Sequence, residues 1–154
     1  MKTQIDTLKS LAKSELFEIL NYWSFETIDN KNGGFIGEID FNNHKNFDAP
    51  KGSVLHARIL WSFSAAFEIT NDEKHKLLAK RAFDYIVSNF YDKQFGGIFW
   101  SINADGSPKE TKNQIYAIAF TIYGLTEYYK ISNEKKALDL AIDLYQKIEQ
   151  HSYD

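Results

Sequence analysis

The sequence predicts an all-α fold, part of a closed toroid of helical hairpins. Three observations predict it. Apolar residues fall at helical spacing through most of the 154 residues, loop and helix-break signals recur about every 62 positions, and each repeat carries a Gly-Gly loop followed by a short extended run.

The first element is a helix, because Leu8, Leu11, Ala12, Leu16, Ile19, Leu20 and Trp23 form one apolar stripe. It ends in the turn cluster Asp29 to Gly34, and the alternating Phe35 to Ile39 reads as a small strand. The polar stretch Asn42 to Pro50 leads to a second helix, expected over 51–69. Thr70-Asn71-Asp72-Glu73 has the form of a capping box, which ends that helix and starts a third reaching Tyr91.

The same organisation then returns. Asp92 with Gly96-Gly97-Ile98 repeats Asp29 with Gly33-Gly34-Phe35, and an extended run, 98–102, follows again. A turn at 104–108 precedes a fourth helix over 112–130, and Ser132-Asn133-Glu134 repeats the polar break before a fifth over 134–150. Asp29 to Asp92 is 63 positions and Thr70 to Ser132 is 62. Asp154 stands 62 after Asp92, where a third loop of this kind would open.

Stacked hairpins of this period bury their faces on each other, and the Gly-Gly loops gather at one mouth, a usual place for a site. Six such hairpins would need roughly 370 residues. Residues 1–154 are therefore expected to form a single incomplete domain.

The bulk numbers exclude several classes. A net charge of −3 leaves no basic surplus for nucleic acid, and the Lys74, Lys76, Lys80 cluster reads as a solvated face. With no cysteine there is neither disulfide nor thiolate metal site. No apolar run approaches the roughly 20 residues of a membrane span, so a soluble, cytoplasmic protein is expected. Aromatic residues reach 16%, enough to fill cores and also to stack on sugar rings.

Two residues stand out as candidates. Arg58 sits among apolar and small residues of the second helix; its five donors need partners there, from helix-end carbonyls or from a ligand oxygen. Tyr116, early in the fourth helix, serves either core packing or a hydrogen bond to substrate. Trp61, Asn113 and His56 are lesser candidates for substrate contact. His56 lies two positions from Arg58, so on a helix the two point about 200° apart. His44 and His75 read as solvated, and no metal-ligand spacing, phosphate loop or acid–base pair occurs.

The ensemble of Asn21-Tyr22-Trp23, Gly33-Gly34-Phe35-Ile36-Gly37, Lys51 to Leu55, Ala57 to Ser64, Gln114-Ile115-Tyr116-Ala117 and Glu127-Tyr128-Tyr129 resembles the N-terminal part of the cellobiose 2-epimerases, in the N-acylglucosamine 2-epimerase superfamily. The resemblance runs in order along essentially the whole chain. It implies a partial (α/α)6 barrel and reversible epimerisation at C2 of the reducing-end sugar of β-1,4-linked disaccharides such as cellobiose, lactose or mannobiose. The reaction passes through a cis-enediolate. The resemblance further implies that Arg58 binds near the enediolate oxygens, that Tyr116 faces inward, and that the acid and base histidines lie beyond Asp154. It implies no metal and no organic cofactor, and a small-molecule disaccharide as partner; the oligomeric state stays open. On this reading the chain by itself is inactive. Readings that remain beside it are an N-acylglucosamine epimerase or mannose isomerase relative, a toroidal glycoside hydrolase, and a non-catalytic sugar-binding half-toroid that hides its open edges by oligomerising.

Overall fold

The computed structural model describes residues 2–152. Within them five α-helices alternate with short strands: α1 Lys2–Glu26, β1 Glu38–Ile39, β2 Lys45–Asn46, β3 Lys51–Gly52, α2 Ser53–Thr70, α3 Glu73–Tyr85, β4 Phe99–Ile102, β5 Pro108–Asn113, α4 Ile115–Ser132 and α5 Lys135–His151. A single π-helical turn, Ile86–Phe90, extends α3 to Tyr91, whose amide donates to the Ile86 carbonyl. No helix among the described residues is long and apolar enough to cross a membrane. Asp154, the expected opening of a third repeat, lies outside the described residues.

The repeat holds at the level of single bonds. The Asp29 amide donates to the Gly34 carbonyl and that of Asp92 to the Gly97 carbonyl, while the bridges Ile28–Phe35 and Tyr91–Ile98 close the two loops. Asp29 Oδ1 accepts from the amides of Lys31 and Asn32, and Asp92 Oδ1 from those of Gln94 and Phe95. The glycines of both loops hold positive φ, from 62° at Gly34 to 92° at Gly97, the left-handed region that side chains disfavour. Helices α2 and α4 end alike, at Asn71 and Asn133, both left-handed with φ 53°.

Several boundaries differ from the sequence expectation. Lys51 and Gly52 start no helix: they pair with Ile102 and Ser101 of β4. Lys112 and Asn113 likewise belong to β5, where Asn113 pairs with Phe99. The expected 35–39 strand is broken: Phe35 makes only the isolated bridge to Ile28, and Glu38–Ile39 pair with Lys45–Asn46. Thr70 is the last residue of α2 rather than a cap for α3. Its hydroxyl donates back to the Ala66 carbonyl, and Asp72 caps α3 by accepting from the Lys74 amide.

The sheet order β3-β4-β5, antiparallel throughout, aims β3 and β5 the same way. They feed α2 and α4 in parallel, side by side. Gly124 makes the close approach possible, because a Cβ there would stand 2.7 Å from the Ala57 carbonyl oxygen. Helices α3 and α5 pack on the outside of this inner pair, with Phe83 of α3 stacked on Tyr128 of α4 at 4.8 Å. The core lies between the two rows, around Leu60, Phe63, Ala82, Phe90, Leu125 and Leu144. By the repeat α1 is an outer helix too, yet most of its length is exposed, including Leu8, Leu11 and Ile19.

Candidate functional site

At about 100° per residue, positions 54, 58, 61 and 65 share one face of α2. That face turns away from the outer helices, since His56 and Phe63 on the opposite side are buried. Adding 62 gives positions 116, 120 and 123 on the matching face of α4. Five candidate side chains therefore share this inner face: Arg58, Trp61, Tyr116, Phe120 and Tyr123. All are exposed or half-buried.

Arg58 is exposed, and its guanidinium has no hydrogen-bond or ion-pair partner among the described residues. Of the two sources of partners expected for it, helix-end carbonyls supply none, because the helix turns the side chain out of the core; a ligand oxygen is the alternative left. It stands on the rim of a groove of about 310 Å³ lined also by Ile19, Leu20 and Trp23 of α1 and by Leu55, Ile59, Ser62 and Phe63 of α2. Tyr116 is 58% exposed and rests its ring on Phe120 at 4.8 Å, so it is no core residue. Trp61 lies nearly parallel to Tyr123, with ring centroids 5.1 Å apart.

The other two candidates sit elsewhere. His56 is fully buried, with Nδ1 within 3.0 Å of the Gly52 carbonyl and Nε2 accepting from the Phe35 amide. This pattern places its proton on Nδ1. Burial pushes the imidazole down to about 4, against the pull of the Gly52 carbonyl and with help from the Lys51 charge. His56 thus ties the first Gly-Gly loop to the start of the helix that carries Arg58. Asn113 ends β5 with its side chain seated against Gly97, where a Cβ would overlap it.

A buried ion pair that leaves no signal in the sequence anchors the same loop. Lys51 Nζ donates to Asp29 Oδ2 at 2.7 Å, with both side chains almost wholly buried. The ammonium also stands 4.9 Å from the Tyr85 ring centre. Burial by itself would raise the Asp29 carboxyl, but Lys51 and the amides of Asn32 and Lys31 outweigh it and hold the group below its ordinary value. Arg81 of α3 completes the anchor, donating from Nε to the Gly34 carbonyl and from Nη2 to that of Asp29. The second loop is held by Lys147 of α5, which donates to the Phe95 carbonyl.

The remaining histidines divide. His44 is exposed and paired with Asp40. His75, expected to be solvated, is buried against Phe63 with Nδ1 2.9 Å from the Thr70 hydroxyl. His151 ends α5, exposed. Among the described residues no three acidic or histidine side chains converge as a metal would require. Within the described part of the inner face, one free cation and four aromatic rings can hold a ligand.

Comparison with known proteins agrees with this architecture. Residues 34–154 match the N-acylglucosamine 2-epimerase (GlcNAc 2-epimerase) family. The chain is 44% identical over 150 residues to a cellobiose 2-epimerase of Bacteroides fragilis, covering 97% of this chain and 38% of that protein. Its structure is similar to that of the cellobiose 2-epimerase from Spirochaeta thermophila, with a TM-score of 0.92 and 32% identity over 96% of this chain and 37% of the other. The cellobiose 2-epimerase from Bacillus thermoamylovorans superposes with a TM-score of 0.89 and 32% identity, over the whole of this chain and 39% of its own. The chain thus spans under two fifths of the length of these relatives, and its fold is the corresponding part of their (α/α)6 barrel.

Proposed function

We propose, because this chain belongs to the N-acylglucosamine 2-epimerase family, that its inner face is the substrate-holding wall of a sugar 2-epimerase. The substrate is the reducing-end sugar of a β-1,4-linked disaccharide of the cellobiose type. Cellobiose becomes glucosyl-mannose, and lactose and mannobiose react likewise. The observation that carries the reading is the unpartnered Arg58 guanidinium beside Trp61, Tyr116, Phe120 and Tyr123.

The chemistry fits those side chains. After ring opening, loss of the C2 proton beside the C1 aldehyde puts negative charge on O1 and O2 of a cis-enediolate. A cation already in place stabilises that charge as it develops and needs no reorganisation to do so. Aromatic rings cover the apolar C–H faces of the sugars, and the Tyr116 hydroxyl remains free to bond a sugar oxygen. Reprotonation at C2 from the opposite face completes the inversion and returns the proton count to its start. Proton transfer calls for two opposed groups titrating near neutrality. None of His44, His56, His75 and His151 stands on the inner face, so this chain binds and orients while the acid and base come from elsewhere in the working enzyme. His56 and Asn113 hold the loops beside the site.

The test is a chimera in which this chain replaces the span it matches in the Bacteroides fragilis relative. The chimera should convert lactose to epilactose. Arg58→Ala should lower kcat by about 100-fold or more with Tm nearly unchanged, and Arg58→Lys should recover part of the rate. Full activity in Arg58→Ala would overturn the assignment.

A further inference from the structure

The two Gly-Gly loops share a backbone but are held by different chemistry, and the difference follows the helix that carries Arg58. A shift of 62 or 63 positions lays one repeat on the other, so that Asp29 falls on Asp92. By the same shift of 62, Lys51 falls on Asn113, His56 on Ile118 and Arg58 on Phe120. The second loop closes with the same Asp92 turn, while Ile118 fills the place of the histidine and is buried there. The repeat itself therefore needs neither the imidazole nor the buried ion pair. Both occur in the repeat whose inner helix presents a cation.

The His56 imidazole is a bridge between that helix and the loop. Its Nδ1 lies 3.0 Å from the Gly52 carbonyl at the start of α2, and its Nε2 lies 3.3 Å from the Phe35 amide. Tyr85 at 5.3 Å and Phe90 at 5.0 Å fix the plane of the ring. Gly52 caps α2 without any side-chain bond of its own, so the bridge does for the first turn what a capping side chain does elsewhere. A second tie runs from the Ser53 hydroxyl to the Trp100 carbonyl.

Arg58 follows two positions after His56, on the opposite side of the same turn, with its guanidinium exposed. No protein partner holds that group, so its place is set by the turn beneath it. We propose that His56 is a positioning residue: by joining the Phe35 amide to the Gly52 carbonyl, it fixes where the Arg58 guanidinium meets the charge developing on the enediolate. A displacement of about 1 Å in such a group costs on the order of 100-fold in rate.

Because this role rests on the epimerase reading, it is tested in the chimera that converts lactose to epilactose. His56→Ile introduces the residue that the second repeat carries at this place. It should lower kcat at least about tenfold and change KM for lactose by less than about twofold. His56→Gln, whose side-chain oxygen can accept from the Phe35 amide, should recover most of the rate. In an Arg58→Ala background His56→Ile should lower kcat no further, since groups that act as a unit are not additive. The stability control is His75→Leu, which removes another buried histidine, bonded to Thr70 at the other end of α2. It should lower Tm and leave kcat unchanged. Losses that add in the double variant, or a kcat that falls in His75→Leu as it does in His56→Ile, would overturn the positioning role and leave the epimerase reading standing. An inactive parent chimera would overturn both.

Discussion

Trp61 and Tyr123 stack with ring centroids 5.1 Å apart and planes 12° from parallel, and they are the same position of two successive repeats. Equivalent residues of parallel inner helices therefore meet directly and build a ladder of rings along the inner face. Tyr123→Ala should cost about 1 kcal/mol and expose one face of Trp61 to water. A red shift of tryptophan emission, absent when Tyr123→Ala is made in a Trp61→Phe background, checks it; unchanged emission counts against the stacking.

Gly124 should tolerate no side chain. Gly124→Ala brings a methyl group to 2.7 Å from the Ala57 carbonyl and forces the inner helices apart, at about 1–3 kcal/mol. Gly52 is the control, with nothing within 4 Å of the place a methyl group would take and a φ of −93°. Gly52→Ala should be neutral or slightly stabilising by restricting the unfolded chain. The urea midpoint of Gly124→Ala should fall below the parent value, and that of Gly52→Ala should match or exceed it.

Lys51→Met should be among the most damaging single substitutions, because it leaves the Asp29 carboxylate buried without its cation. The expected loss is about 3–5 kcal/mol. Adding Asp29→Asn should restore part of it, since the amide can still accept from the Lys31 and Asn32 amides. A double variant no better than Lys51→Met would show that the ion pair is not the source of the loss.

Stability should fall on mild acidification. His56 is neutral in the fold down to about pH 4 but takes up its proton near pH 6.5 when unfolded. Between those values the unfolded chain binds the extra proton, so stability rises with pH there and is lost as pH drops, by about 3 kcal/mol in total. His75, whose imidazole burial also lowers, adds a slope of the same sign. Asp29 acts further down: its contribution is present above pH 3.8 and fades below it. Urea midpoints measured between pH 7 and pH 4 should show this loss, and His56→Asn should flatten it.

The purified chain should not epimerise cellobiose or lactose by itself. It presents a cation and aromatic rings on the inner face, while His44, His56, His75 and His151 all stand elsewhere. Chromatographic detection of glucosyl-mannose or epilactose above the buffer background would contradict this division of labour.

What the sequence makes legible depends on range. The loops at Asp29 and Asp92 and the breaks at Thr70 and Ser132 are made by bonds within a few residues, so their recurrence is readable directly. Lys51 looks like a helix start because its true partner, Ile102 of β4, is 51 positions away and leaves no local trace. His75 looks solvated among lysines and acids, yet the helix turns it under Phe63. At the site, Arg58, Trp61 and Tyr116 are visible as odd polar or aromatic residues in small-residue helices. Phe120 and Tyr123 need only one further step, the addition of 62 to positions 58 and 61.

The two Gly-Gly loops also impose an order on how the chain is made. Arg81 closes the first loop by reaching back 52 positions to the Asp29 carbonyl, and Lys147 reaches back 52 to Phe95. A polypeptide leaving the ribosome gains these two bonds only after the outer helix of the following repeat has emerged. Only the last anchor of each loop comes from its successor, so a nascent chain should complete each loop about one repeat after synthesising it.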